Sequence, residues 1–341
     1  MEEPFYIQWH ITNLCNLRCS HCYQDDFSRK DDLEWPALKS ICDNLLRALK
    51  AWKRTACVHL TGGEPLLSPE LFPLLDYLNH QPLIDEMGII TNGLPLNREV
   101  LGRLSAFSKL KKIKISLEGA DSQVHESVRP RETFDRVLQN LSLTQKETRF
   151  ETIVMFTVMK RNYESLPSLL TLCQELGVHS LILERFIPWG RGAGIREDVL
   201  SREQWKAVAE SLLRFLALEK VEDLSLPYQA FQVKFGGEDS ELLGAPCVVG
   251  VDGLCIMPGG DVFPCRRFPV SIGNLLVQRL DEIWDESEIL KKVRKKENLK
   301  GRCRNCDIEE CRGCRSLALS LTGDYLAEDP HCWSFSDELA L

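Results

Sequence analysis

Six short runs of apolar and β-branched residues punctuate the first half of the chain, at Tyr6–Thr12, Ala56–Thr61, Glu86–Thr91, Lys112–Leu117, Glu151–Val158 and Ser180–Phe186. Runs of this length and composition predict buried strands. Between them the apolar positions change to helical spacing. Leu38, Ile41, Leu45, Leu46 and Leu49 form one stripe, and Leu71, Leu74, Leu75 and Leu78 another. Val137, Leu138 and Leu141 make a third, and Leu166, Leu169, Leu170 and Cys173 a fourth. Ser68 followed by Pro69 predicts the start of the second helix, with proline at its first position. Strands alternating with helices predict an α/β fold, a parallel sheet with helices outside it. Polar and glycine-rich clusters follow the strands directly: residues 13–22, Gly62 to Pro65, Asn92 with Gly93, and Glu118 with Gly119. In a curved parallel sheet these loops share one rim, where ligands bind.

After Pro188 the pattern breaks. Gly190, Gly192 and Gly194 interrupt it, a helix is predicted over 202–216, and the stretch closes at Gly236, Gly237, Glu238 and Asp239. We therefore expect a strand–helix domain over 5–190, a connecting segment over 191–245 and a cysteine-rich domain over 246–341. Composition adds mainly exclusions. The 341 residues are 44% apolar and 27% charged, as in ordinary globular proteins. The longest apolar runs, such as Ile153–Phe156, are too short to cross a bilayer, so no membrane partner is expected. Net charge is −8, and the basic tract Lys291, Lys292, Arg294, Lys295 and Lys296 lies beside Asp281, Glu282, Asp285, Glu286 and Glu288. Such a mixture reads as a solvated helix, and nucleic acid is not expected as a partner. Residues 1–4 show neither the basic nor the apolar region of an export signal, which makes cytoplasmic residence the default expectation.

Cysteine changes the picture. Of 14 cysteines, Cys15, Cys19 and Cys22 lie within one short loop, and eight others lie beyond position 246. A reducing cytosol disfavours structural disulfides, so the two groups read as metal ligands. The scattered Cys42, Cys57 and Cys173 read as small packing residues. Three thiolates spaced CxxxCxxC can hold three irons of a [4Fe–4S] cube and leave the fourth iron without a protein ligand. His21 offers a formal fourth ligand for the alternative, a zinc knuckle.

On these residues the chain resembles the radical S-adenosylmethionine (SAM) superfamily over about residues 5–188. That resemblance implies a partial (β/α)6 TIM-like barrel and an anaerobic enzyme. His21 stands at the family position that lies near the adenine. Gly62, Gly63, Glu64 and Pro65 resemble its GGEP ridge, whose backbone and glutamate hold the amino group of SAM. Asn92, Ser116 and Glu118 stand where the family meets the ribose and carboxylate; related enzymes often have Asp at the last position. The implied chemistry is reductive cleavage of SAM to a 5′-deoxyadenosyl radical that abstracts hydrogen from a substrate carbon. His125 with Arg129 matches a family His-x3-Arg pattern, structural or catalytic. Arg185 and Arg191 either meet a substrate carboxylate or SAM, or form a surface turn.

The later cysteines resemble the SPASM domain, which holds two auxiliary clusters, for three [4Fe–4S] clusters in all. Position by position, Cys247, Cys265 and Cys314 would bind the nearer cluster, and Cys303, Cys306, Cys311 and Cys332 the farther one. The x4 and x2 spacings from Cys306 to Cys314 depart from the family pattern. Cys255 is either the nearer cluster's fourth ligand or a hairpin core residue, and a zinc ribbon over Cys303–Cys314 is the alternative for the tail. The stretch from Cys311 to Cys332 is similar to the end of SPASM enzymes of haem biosynthesis and of many peptide maturases. Two substrates follow. The first is a ribosomally made precursor peptide, met at the barrel rim or through a separate leader-peptide-binding protein. The second is a tetrapyrrole losing or cleaving propionate side chains. Maturation of another enzyme and a non-catalytic electron carrier are lesser readings. An external reductant such as ferredoxin or flavodoxin is implied.

Overall fold

The structure is a computed structural model and describes residues 3–217, 230–236, 240–244, 247–308 and 311–332. Six parallel strands lie side by side in chain order: β1 (Phe5–His10), β2 (Ala56–Thr61), β3 (Ile84–Thr91), β4 (Leu110–Ser116), β5 (Glu151–Val158) and β6 (Ser180–Arg185). Helices α1 (Trp35–Trp52), α2 (Leu71–Asn79), α3 (Arg98–Leu104), α4 (Ser122–Glu126), α5 (Phe134–Gln145) and α6 (Leu166–Glu175) run between them. The predicted α1 stripe is the buried one, with Leu38, Ile41, Leu45 and Leu49 at 1% exposure or less. Each such side chain contributes about 1.5–3 kcal/mol of burial. The start of α2 is a correction. It begins at Leu71 after Glu70, and Pro69 sits in the turn before it.

Alternation along β1 divides its side chains between two environments. Phe5, Ile7 and Trp9 are buried, and Phe5 packs on Trp52 and on Trp284 of α8 (Leu280–Glu286) at 5.2 and 4.9 Å between ring centres. Tyr6 and His10 alternate to the opposite face. The Tyr6 hydroxyl is hydrogen-bonded to Nδ1 of His59 at 3.0 Å. The parallel sheet thus keeps an apolar outer layer and a polar lumen.

The segment expected as a connection extends the sheet. α7 (Arg202–Phe215) begins with a reciprocal cap between Ser201 and Gln204 and packs against α6. Strands β7 (Phe231–Lys234) and β8 (Glu241–Gly244) then add antiparallel to β6. At the opposite edge β9 (Gly253–Ile256) pairs parallel with β1, followed by β10 (Asp261–Phe263) and β11 (Gly273–Asn274). Among the described residues β1 and β6 do not pair, so the barrel is partial and its gap faces the cysteine-rich part. The buried Asn44 of α1 ties that part down, donating to the carbonyls of Leu275 and Gln278 and accepting from the Leu280 amide. The expected boundary at 245/246, and Gly237, Glu238 and Asp239, lie outside the described residues. The basic tract is helical only as far as Arg294: in α9 (Glu288–Arg294) Leu290 and Val293 are buried and Lys291 pairs with Glu288, while Lys295 is extended and Lys296 opens a 3-10 turn. Cys42 and Cys173 are fully buried packing residues, and Cys57 is half-buried. Among the described residues no helix is long and apolar enough to cross a membrane.

Candidate active site

The loop leaving β1 carries Cys15, Cys19 and Cys22, and its neighbours fix its shape. Ser20 donates its amide to Val128, Gly192 donates to the carbonyl of Cys22, and Gln24 donates to the carbonyl of Asn13. Gly190, at φ +53°, lets the turn after β6 settle on this loop; a Cβ there would stand 2.5 Å from the Tyr23 carbonyl. The glycine stretch is therefore a seat for the cysteine loop, and its Arg191 is exposed.

Cys15, Cys19 and Cys22 line one cleft of about 120 Å³, together with Gly62, Gly63, His21, Asn92, Ser116 and Glu118. Burial pushes the Cys15 thiol up to about 11 and the Cys22 thiol to about 12, and neighbouring thiols add to both. Cys19 is shifted the same way, again by burial first. Three cysteines gathered at CxxxCxxC spacing around one cleft are a donor set that fits an iron–sulfur cluster. Among the described residues no three His, Cys, Asp or Glu side chains close around the point of a single ion. A cluster brings its own bulk between the sulfurs.

Gly62 and Gly63 cross over the cysteine loop with no room to spare. Gly63 donates to the Thr12 carbonyl and Glu64 to that of Leu14, both at 2.7 Å. A Cβ on Gly63 would lie 2.5 Å from the carbonyls of both Asn13 and Leu14. Gly63→Ala must push the two loops apart, at about 1–3 kcal/mol for an overpacked site. SAM affinity of the reconstituted protein should fall about tenfold or more, measured by equilibrium dialysis. Unchanged affinity would remove this ridge from the binding site.

Glu64 has a different place from the one expected. Its carboxylate is fully buried and accepts from the Leu66 amide, the Thr91 hydroxyl and the Asn92 amide. It binds the end of β2 to the end of β3, and neither it nor the buried Pro65 lines the cleft. Burial raises its carboxyl to about 7. Asn92 donates to Asn16 at 2.8 Å and stands 3.9 Å from the Cys15 sulfur. Ser116 donates to the Thr91 carbonyl. Glu118, 1% exposed, accepts from Arg129 at 2.8 and 3.2 Å and from the Thr157 amide at 2.9 Å. Nδ1 of His125 accepts the backbone amide of Glu118, so His125 fixes the backbone of that residue while Arg129 holds its carboxylate. His21 faces the same carboxylate at 3.5 Å and is kept neutral, its pKa lowered to about 3 by burial and then by Arg129.

The cysteine-rich part reaches the same cleft. Cys247 lies within electrostatic reach of Cys314 and Cys265, and burial first, then these neighbours, pushes its thiol to about 12. Cys303 neighbours Cys311 and accepts from the Asp329 amide at 3.3 Å and from Arg315 at 3.5 Å. Asp329 also accepts from the Cys314 amide and from Arg185 at 2.6 Å, which ties the tail to the end of β6. Cys306, Cys311 and Cys332 are half-buried. Cys255 is buried on β9 beside Met257, within electrostatic reach of Cys265. Sequence reasoning missed Tyr23, Glu184, Arg266 and Arg267, all of which line the cleft. Two signals were available: a charged pair ending an apolar strand, Glu184 with Arg185, and a second directly after Cys265.

Comparison with known proteins places these features. Residues 9–173 match the model of the Radical SAM superfamily, and residues 247–307 that of an iron–sulfur cluster-binding domain, SPASM. The AdoMet-dependent heme synthase of Methanosarcina barkeri is 29% identical, over 97% of this chain and 97% of that one. The mycofactocin maturase MftC of Mycolicibacterium smegmatis is 27% identical over 97% of this chain and 83% of its own length. In fold, the chain is similar to Streptococcus suis SuiB bound to precursor peptide SuiA. The TM-score is 0.72 at 16% identity, covering 97% of this chain and 76% of that one.

Proposed function

Because the chain belongs to the radical SAM superfamily, in its SPASM subgroup, we propose that it cleaves SAM reductively at the Cys15–Cys19–Cys22 site and takes hydrogen from a tetrapyrrole side chain. One observation carries the first half: three cysteines, the glycine ridge and Glu118 meet in one cleft at the rim of a parallel barrel. Cys15, Cys19 and Cys22 would hold the SAM-binding cluster. Cys247, Cys265 and Cys314 would hold one auxiliary cluster and Cys303, Cys306, Cys311 and Cys332 another, with Cys255 as a candidate ligand beside the first. When bound, these groups supply the electron, the 5′-deoxyadenosyl radical and an acceptor for a second electron. The chain's own part is to place and enclose. Gly62, Gly63, Asn92 and Ser116 shape the SAM-facing wall, while Leu17, Phe27 and Ile187 keep water from it.

The tetrapyrrole reading moves ahead of the precursor peptide because the heme synthase is similar over nearly all of both chains. Similarity to a mycofactocin maturase keeps the peptide as the second reading. A ferredoxin or flavodoxin would supply electrons. The test is anaerobic reconstitution, with iron counted and 5′-deoxyadenosine assayed after dithionite and SAM. About twelve irons with that product supports the proposal, and about four with zinc would demote the tail to a structural clip. Iron without product would move the chain to an electron-carrier role. Cys303→Ala or Cys332→Ala should spare part of the uncoupled SAM cleavage while substrate conversion disappears. Equal loss of both would assign the tail a purely structural part.

A further inference from the structure

We propose that Arg266 and Arg267, supplied by the cysteine-rich part, are the receptor for a carboxylate of the substrate. The inference deepens the substrate reading above and rests on it. Both residues follow Cys265 on the turn after β10 and reach across the barrel's gap into the cleft. Arg266 donates to the Thr61 hydroxyl at 3.2 Å, and its guanidinium lies 4.6 Å from the centre of the Tyr23 ring. Arg267 donates to the Arg185 carbonyl at 2.9 Å and to Glu184 at 3.1 Å.

The charges of the cleft do not balance at this corner. Arg129 is matched by Glu118, and Arg185 by Asp329. Glu184 alone faces both Arg266, at 3.9 Å, and Arg267. Lys114, 8% exposed, has Glu184 as its foremost acidic neighbour too. Among the carboxylates, one therefore serves several cations; the neighbouring Cys265 and Cys314, as cluster ligands, would add negative charge behind the arginines and leave their cleft side open to a second anion.

Hydrogen-bond donors are left over in the same place. The Arg266 side chain is 10% exposed, and its Nε has no partner. Nε and Nη2 of Arg185, a side chain 2% exposed, have none either. Buried guanidinium donors are rarely left unspent in a folded protein. A planar carboxylate presents two acceptors spaced for such a fork. The SAM-facing residues named above lie at or just past the ends of β2, β3 and β4, whereas Arg267 stands at the end of β6 and Arg266 between that end and Thr61, a placement that leaves them for the other reactant.

The experiment uses SAM-loaded, reconstituted protein without oxygen. Iron protoporphyrin, with its two propionates, is titrated against its dimethyl ester by the Soret band. A pool of hexapeptides randomised at the last two positions is titrated with free and with amidated C-termini. The acid form should bind about tenfold or more tightly than its neutral counterpart in one arm, the porphyrin arm marking a tetrapyrrole and the peptide arm a peptide. In an R266Q/R267Q double variant that ratio should fall to about one, and R266K should restore part of it by keeping the charge. SAM affinity and iron content serve as the fold control. If the double variant fails it, the ratio in the unmodified protein and in R266K decides. Neutral forms binding as well as acids, no acid binding in either arm, or a ratio that survives the double variant would each overturn the proposal. With 5′-deoxyadenosine still produced, such a result sinks the carboxylate site alone; without that product the functional reading has failed first.

Discussion

Replacing Cys15, Cys19 and Cys22 together by alanine is expected to abolish 5′-deoxyadenosine formation while about eight of about twelve irons stay bound. The loop they occupy is held by backbone bonds to Val128, Gly192 and the Gly62–Gly63 ridge, none of which passes through a thiol. The barrel should therefore fold without them. The other cysteine groups belong to the cysteine-rich part, with Cys247 beside Cys314 and Cys265. They lose no ligand in this variant. Activity should drop to background, since nothing else in the cleft can deliver an electron to a sulfonium. Iron analysis and product chromatography on the same sample make the test. A triple variant that still forms 5′-deoxyadenosine would place the radical site elsewhere.

The second large effect concerns stability. Arg129→Leu leaves Glu118 buried at 1% exposure with its counter-charge gone and one oxygen stripped of two hydrogen bonds. Breaking a buried pair from one side costs about 3–5 kcal/mol. In a domain of this size that lowers Tm by about 6–20 °C, at about 2–4 °C per kcal/mol. Adding Glu118→Leu removes the stranded charge and should recover part of the loss, although the Thr157 amide then lacks its acceptor. Thermal unfolding of the three variants by circular dichroism reads both effects. A single variant within 1 kcal/mol of the parent would mean that water reaches Glu118 and the site is wetter than its packing indicates.

The six barrel strands were legible to within two residues at each end because each is largely buried and written mostly in apolar and β-branched residues. Glycines and asparagines marked the rim for a physical reason as well. Gly62 and Gly63 have another loop's carbonyls where a Cβ would be. What the chain hid were the long-range matches. Nothing in the four residues Gly253–Ile256 says that they will pair with β1, since a short strand carries no address. Glu64 was found by motif, but its partners, the Thr91 hydroxyl and Asn92 amide, become visible only when β2 and β3 are neighbours. Arg266 and Arg267 went unread because a barrel's gap has no signature in local sequence. Pro69 misplaced a helix start for a smaller reason: a proline that suits the first turn of a helix also suits the turn before one.

The pairing of β9 with β1 also sets an order of events during synthesis. β1 is made well before its outer neighbour, which arrives only with residues 253–256. Until then the strand that leads into Cys15 has one open edge, able to accept any passing strand. A nascent chain stopped short of Gly253 is thus an aggregation risk. The loop that carries Cys15, Cys19 and Cys22 is braced on its β9 side only by residues made long after it.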